Sequence, residues 1–154
     1  MKHFYYYYEW KDRPMPFPCL KRARYFCVNG PNQAAHYSVN LPFWVMDIAF
    51  NDEGTGWKSA DRDEWESRAI NELHLYPPGT RFETRHEAGA MRHSAFIQFT
   101  NGESCGLNDL YQNGRLVYKL HETPPKMIEL MQKIAIIGHQ RQESGFWEVQ
   151  TLLF

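Results

Sequence analysis

Glu72-Leu73-His74-Leu75-Tyr76 runs into Pro77-Pro78-Gly79-Thr80 and then Arg81-Phe82-Glu83-Thr84-Arg85. The first stretch alternates polar and apolar residues, the period of a strand with one face buried. The Pro-Gly cluster ends it, because proline cannot continue a ladder and glycine supplies the positive φ of a turn. A second strand follows at once and can pair with a neighbour.

The same grammar holds on both sides of this unit. Upstream, Arg24 to Val28 stops at Asn29-Gly30-Pro31-Asn32, and Phe43 to Phe50 stops at Asn51-Asp52-Glu53-Gly54. Downstream, Ser94-Ala95-Phe96-Ile97-Gln98-Phe99 closes at Asn101-Gly102, and Arg115 to Leu120 follows Asn113-Gly114. Asn-Gly flanked by apolar alternation signals a hairpin. Short strands at this spacing, with no strand-helix-strand alternation, predict a sandwich or barrel through about residue 121. Residues 59–71 fit either a helical turn or two or a long loop.

The period changes after Thr123-Pro124-Pro125. Met127, Ile128, Leu130, Met131, Ile134 and Ile137 recur at spacings of three and four, which predicts an amphipathic helix opened by proline and ending near Gly138. Ser144 is placed to cap a second helical stretch, Phe146 to Phe154, which ends on Leu152-Leu153-Phe154. An apolar end of this kind is expected of a piece of a longer protein or of a helix covered by a partner. The chain thus divides into a β unit over 1–121 and a helical segment over 122–154.

Bulk properties narrow the classes of function. The chain has 154 residues, 43% hydrophobic and 16% aromatic, enough for one ordinary core. Seventeen Lys and Arg against eighteen Asp and Glu leave a net charge of -1, and the longest basic cluster is Lys21 to Arg24, so phosphate-driven nucleic-acid binding is not expected of this chain. Cys19, Cys27 and Cys105 form no C-x-x-C pair, and no run is apolar enough for a signal peptide or a membrane span. The expected setting is a reducing cytoplasm.

Chemistry-bearing motifs are missing from the sequence. There is no Gly-x-Ser-x-Gly, no phosphate-binding glycine loop and no His-Glu-x-x-His, and none of the seven histidines forms a His-x-His pair. Paired carboxylates such as Asp61 with Asp63 lie in a charged, solvated stretch. Neither a metal nor a cofactor is expected, and the chain is expected to bind rather than to catalyse.

Three stretches resemble the N-terminal sensor and dimerisation domain of AraC-type transcriptional regulators: Asn71 to Thr80, Arg92 to Phe99, and the helical Phe146 to Leu153. The resemblance implies a cupin-like double-stranded β-helix, that is a jelly-roll barrel, which encloses a small effector and is followed by an α-helical hairpin for dimerisation. It also implies that DNA contact belongs to a C-terminal helix-turn-helix module outside this chain. For the effector pocket the expected residues are Arg24, Trp44, His74 and Tyr76, a donor set with aromatic walls suited to a small metabolite, sugars first among them. For a homodimer they are Met127, Met131, Ile134 and Ile137, unless that stripe covers the barrel itself. A cupin-type metalloenzyme and a carbohydrate-binding sandwich are the competing readings.

Overall fold

The computed structural model describes residues 2–30, 32–51, 53–107, 109, 118–120 and 125–153. The expected Asn113-Gly114 turn and the 121/122 division lie outside them. The described strands are β1 (Phe4–Glu9), β2 (Cys19–Asn29), β3 (Ala35–Asn40), β4 (Trp44–Ala49), β5 (Thr55–Ser59), β6 (Glu66–Ser67), β7 (Leu73–Tyr76), β8 (Arg81–His86), β9 (Met91–Thr100) and β10 (Tyr118–Leu120). Two helices follow, α1 (Pro125–Arg141) and α2 (Phe146–Leu152).

The strands form two antiparallel sheets, a six-stranded one ordered β1-β2-β9-β4-β7-β10 and a four-stranded one ordered β3-β8-β5-β6. The fold is a jelly roll of the cupin kind with C-terminal helices. The Pro77-Pro78-Gly79-Thr80 turn does not make a hairpin of its flanking strands. It carries the chain from β7 in the large sheet to β8 in the small one, where β8 pairs with β3 and β5. Gly79 takes φ 84°, and the Gly79 and Thr80 backbones are tied to Leu41 across the gap.

Alternation decides what each strand buries. In β4, Trp44 and Ile48 turn toward the helices, while Val45 turns into the space between the sheets. In β7 the leucines face the helices, and His74, registered opposite Asp47, and Tyr76, opposite Val45, face the barrel interior. All four residues of β7 are therefore buried. A bulge at Lys21 keeps β2 in phase on either side of it, with Leu20 opposite Phe99 and Arg22 opposite Gln98.

The helix-side core joins Trp10, just after β1, and Leu20, Ala23, Trp44, Ile48, Leu73, Leu75, Ile97 and Phe99 from the strands to Met131, Ile134, Ala135, Ile137, Phe146 and Val149. Fully burying one such side chain contributes about 1.5–3 kcal/mol. Polar clamps lock the same interface. Gln150 accepts from the Leu20 amide at 3.0 Å and donates to the Pro18 carbonyl, and Glu143 takes the Arg13 guanidinium at 2.6 Å and the Lys11 amide at 3.0 Å.

Several local expectations are corrected. α1 runs through Gly138 to Arg141, because a Cβ at 138 would lie 2.6 Å from Trp10 Cζ2; the glycine makes room for a ring rather than ending a helix. Ser144 caps nothing and instead donates to the Arg141 carbonyl at 2.6 Å. Asn101-Gly102 opens no hairpin: Asn101, at φ 56°, leads into a 3-10 turn over Gly102–Cys105. Residues 59–71 hold the short strand β6 within a loop.

Candidate functional site

The two sheets do not close on each other completely. Between them lies a cavity of about 240 Å3, below the roughly 300–1,000 Å3 of drug-sized sites. Apolar walls come from Trp57, Tyr76, Phe82 and Phe96, with Leu41 and Val45. Tyr76 and Phe82 stack at 4.9 Å with 14° between their planes.

Most of the polar lining comes from the inward phase of large-sheet strands whose outward phase fills the helix-side core, and His86 adds to it from the small sheet. Arg24 of β2, Arg92 and Gln98 of β9, Asp47 of β4 and His86 of β8 all reach it. Arg68 enters from the 59–71 loop and takes Asp47 twice, at 2.7 Å to Oδ2 and 2.9 Å to the carbonyl. That carboxylate is matched. No carboxylate among the described residues pairs with Arg24 or Arg92.

Aromatic rings hold these two cations instead. The Arg24 guanidinium sits 4.7 Å from the Phe26 centroid and 4.5 Å from that of Phe96, and the Arg92 guanidinium lies 5.4 Å from the same Phe26 ring. Burial first, and the nearby Arg24 second, push the Arg92 pKa down from its ordinary value. Burial, with Arg92 as the second cause, lowers that of His86 to about 4, so its imidazole is neutral at pH 7. Four buried atoms of lining residues have no hydrogen-bond partner among the described residues: Arg24 Nε, His86 Nδ1, His93 Nε2 and Gln98 Oε1.

Of the residues expected at the pocket, Arg24 and Tyr76 line it. His74 is wholly buried behind the wall, with Nδ1 3.0 Å from the Tyr76 hydroxyl and its ring edge-on to Trp57 at 5.5 Å, so it orients two walls rather than forming one. Trp44 is on the opposite face of the sheet, in the helix-side core, with Nε1 donating to Glu103 at 3.1 Å. Its strand phase puts Val45 and Asp47 inward in its place. Sequence reading missed Arg68 and Arg92, and left Trp57 out of the expected pocket set. Arg92 had a signal, since it shares its strand phase with Gln98 while the apolar phase is Ala95, Ile97 and Phe99.

The dimer stripe is also corrected. Met131, Ile134 and Ile137 are buried in the chain's own core, and Met127 packs partly buried against it. The stripe covers the sheet, and little of it is left for a second copy. Among the described residues no three His, Cys, Asp or Glu side chains gather as a metal-holding group, and no helix is long and apolar enough to cross a membrane.

No protein-family model matches the sequence, and no curated protein is similar to it in sequence. Solved structures do share the architecture. YhaK of Escherichia coli is 10% identical with a TM-score of 0.51, over 76% of this chain and 50% of that one. ToxT of Vibrio cholerae, an AraC-family regulator solved with (E)-4-(8-methylnaphthalen-1-yl)but-3-enoic acid, is 11% identical with a TM-score of 0.47, over 99% of this chain and 54% of that one. The chain spans about half the length of these two proteins. A salicylate 1,2-dioxygenase of Pseudoaminobacter salicylatoxidans is 12% identical with a TM-score of 0.36, over 71% of this chain and 28% of that one. The expectation that the chain does not catalyse is withdrawn, since proteins described as enzymes and as regulators both stand among these structures and the fold does not choose between them. At such identities the likeness is one of fold: a cupin-type jelly roll that serves enzymes and regulators alike.

Proposed function

We propose that this chain is the effector-sensing barrel of an AraC-type regulator, and that a small molecule enclosed between the sheets is its signal. The observation that carries the reading is the cavity, whose lining residues hold four buried polar atoms without a partner among the described residues, Arg24 Nε, His86 Nδ1, His93 Nε2 and Gln98 Oε1. Leaving such a group buried without a partner costs about 1–3 kcal/mol. An occupant with matching donors and acceptors removes that penalty.

Signal transfer has a physical route. α1 packs on β1, β2 and β9, and the last two carry Arg24, Arg92 and Gln98 on their other face. A ligand that draws these side chains together acts on the strands beneath the helix, and shifts populations to the extent that it binds one arrangement better. In this reading DNA contact belongs to a helix-turn-helix module joined to the C-terminal helices, and any homodimer forms on a surface other than the α1 stripe.

The test is a thermal-shift screen of the chain against sugars, amino acids, organic acids and nucleobases. A ligand at a hundred times its Kd adds about 2.7 kcal/mol to the folded state and must raise Tm. A saturable rise that disappears when the cavity is filled by Ala49→Phe supports the reading. No rise with any compound, or one that survives Ala49→Phe, contradicts it.

A further inference from the structure

Resting on the effector-sensing reading, we propose that the cavity is built for an organic acid, its carboxylate held by Arg24 and Arg92 and its planar or apolar body lying between Trp57, Tyr76, Phe82 and Phe96. Three guanidiniums line the space against one carboxylate, and Asp47 is already occupied by Arg68. Arg24 and Arg92 thus both pack on the Phe26 ring, with no carboxylate among the described residues paired to either; Asp47 favours the Arg92 charge only from a distance. Placing two like charges in a half-buried site opposes folding, and an anion supplied from solution reverses the sign of that term. Arg24 Nε is a buried donor with no partner among the described residues, so a carboxylate that engages the guanidinium and turns it outward gives that N–H an acceptor.

The rest of the lining is suited to the remainder of such a molecule. The four rings make an apolar slot, and Gln98 Oε1 at its side accepts a hydroxyl or amine substituent. A neutral sugar would leave both cations unanswered. The space of about 240 Å3 leaves less room for a tetrahedral phosphate head than for a planar carboxylate beside the same body, so phenyl phosphate separates the two anions in the test. The volume of about 240 Å3 limits the body to about one ring or a short chain.

Titration calorimetry with phenylacetate and trans-cinnamate tests this, set against their amides, phenyl phosphate and glucose. The acids are expected to bind at least tenfold more tightly than the amides and phenyl phosphate. Arg24→Met and Arg92→Met are each expected to weaken the acids at least tenfold while leaving the amides unchanged. Circular dichroism establishes that both variants are folded, and Arg92→Lys, which keeps the charge without the fork, should fall between wild type and Arg92→Met. Amides binding as well as acids, or acids binding undiminished to the methionine variants, overturns the proposal. Glucose binding in place of the acids overturns it too but leaves the effector-sensing reading standing, whereas failure of every probe here and in the wider screen overturns both.

Discussion

The two faces of the large sheet are made by the same strands and have opposite characters. On the helix side, Leu20, Trp44, Ile48, Leu73, Leu75, Ile97 and Phe99 interlock with α1 and α2 in a filled apolar core. On the barrel side, one residue further along the same strands, Arg24, Asp47, Arg92 and Gln98 surround a space that the protein does not fill. A period of two lets one strand serve both purposes. Stability is concentrated on the first face, and the second carries groups that a folding criterion alone would not select.

The comparison breaks first, and most visibly, at the helix-side core. Ile134→Ala removes a wholly buried side chain there and should lower the unfolding free energy by about 2–5 kcal/mol in urea titration. An equal loss from Arg92→Met would mean that both faces are structural. Gly138→Ala comes next. Its Cβ would meet the Trp10 ring at 2.6 Å, so the overpacking penalty of about 1–3 kcal/mol outweighs the roughly 1 kcal/mol that alanine gains over glycine inside a helix. If Gly138→Ala is stabilising, Trp10 is not wedged as described.

On the barrel face the expected sign reverses. Arg92→Met relieves like-charge repulsion with Arg24 and should leave Tm unchanged or raise it by a few degrees, for a gain of about 1 kcal/mol or less. His86 contributes the smallest effect. Its folded pKa of about 4 lies below the ordinary value of 6.5, so between those pH values the unfolded chain takes up a proton that the folded chain does not. Stability must therefore decline as pH falls from 6.5 toward 4, and His86→Asn should flatten that part of the profile. An unchanged slope in the variant assigns the decline to other groups.

Most of the fold was legible because strand alternation and turn residues are local signals. The large-sheet strands around 24–28, 44–49, 73–76 and 94–99 stand where alternation puts them, as does a helix opening at Pro125. The site was only partly legible, for reasons visible in particular residues. His74 and Tyr76 share a face by spacing, but which face looks inward depends on their register with Asp47 and Val45, a contact with residues about thirty positions away. Trp44 was misplaced for the same reason, its phase being fixed by pairing with Phe99. Arg68 comes from a loop with no period, and its place is set by its hold on Asp47. The α1 stripe was legible as apolar, and its width does not say whether a sheet or a second chain covers it.

The tryptophans offer the most direct discrimination between the faces. Trp57 lines the cavity, Trp10 and Trp44 are in the helix-side core, and Trp147 on α2 is 61% exposed. Following the indole N–H signals by proton–nitrogen NMR during titration with trans-cinnamate should move the Trp57 resonance saturably and leave that of Trp147 in place, with at most smaller shifts at Trp10 and Trp44 transmitted through the sheet. A fixed Trp57 signal while Trp10, Trp44 or Trp147 moves would contradict the placement of the binding site between the two sheets.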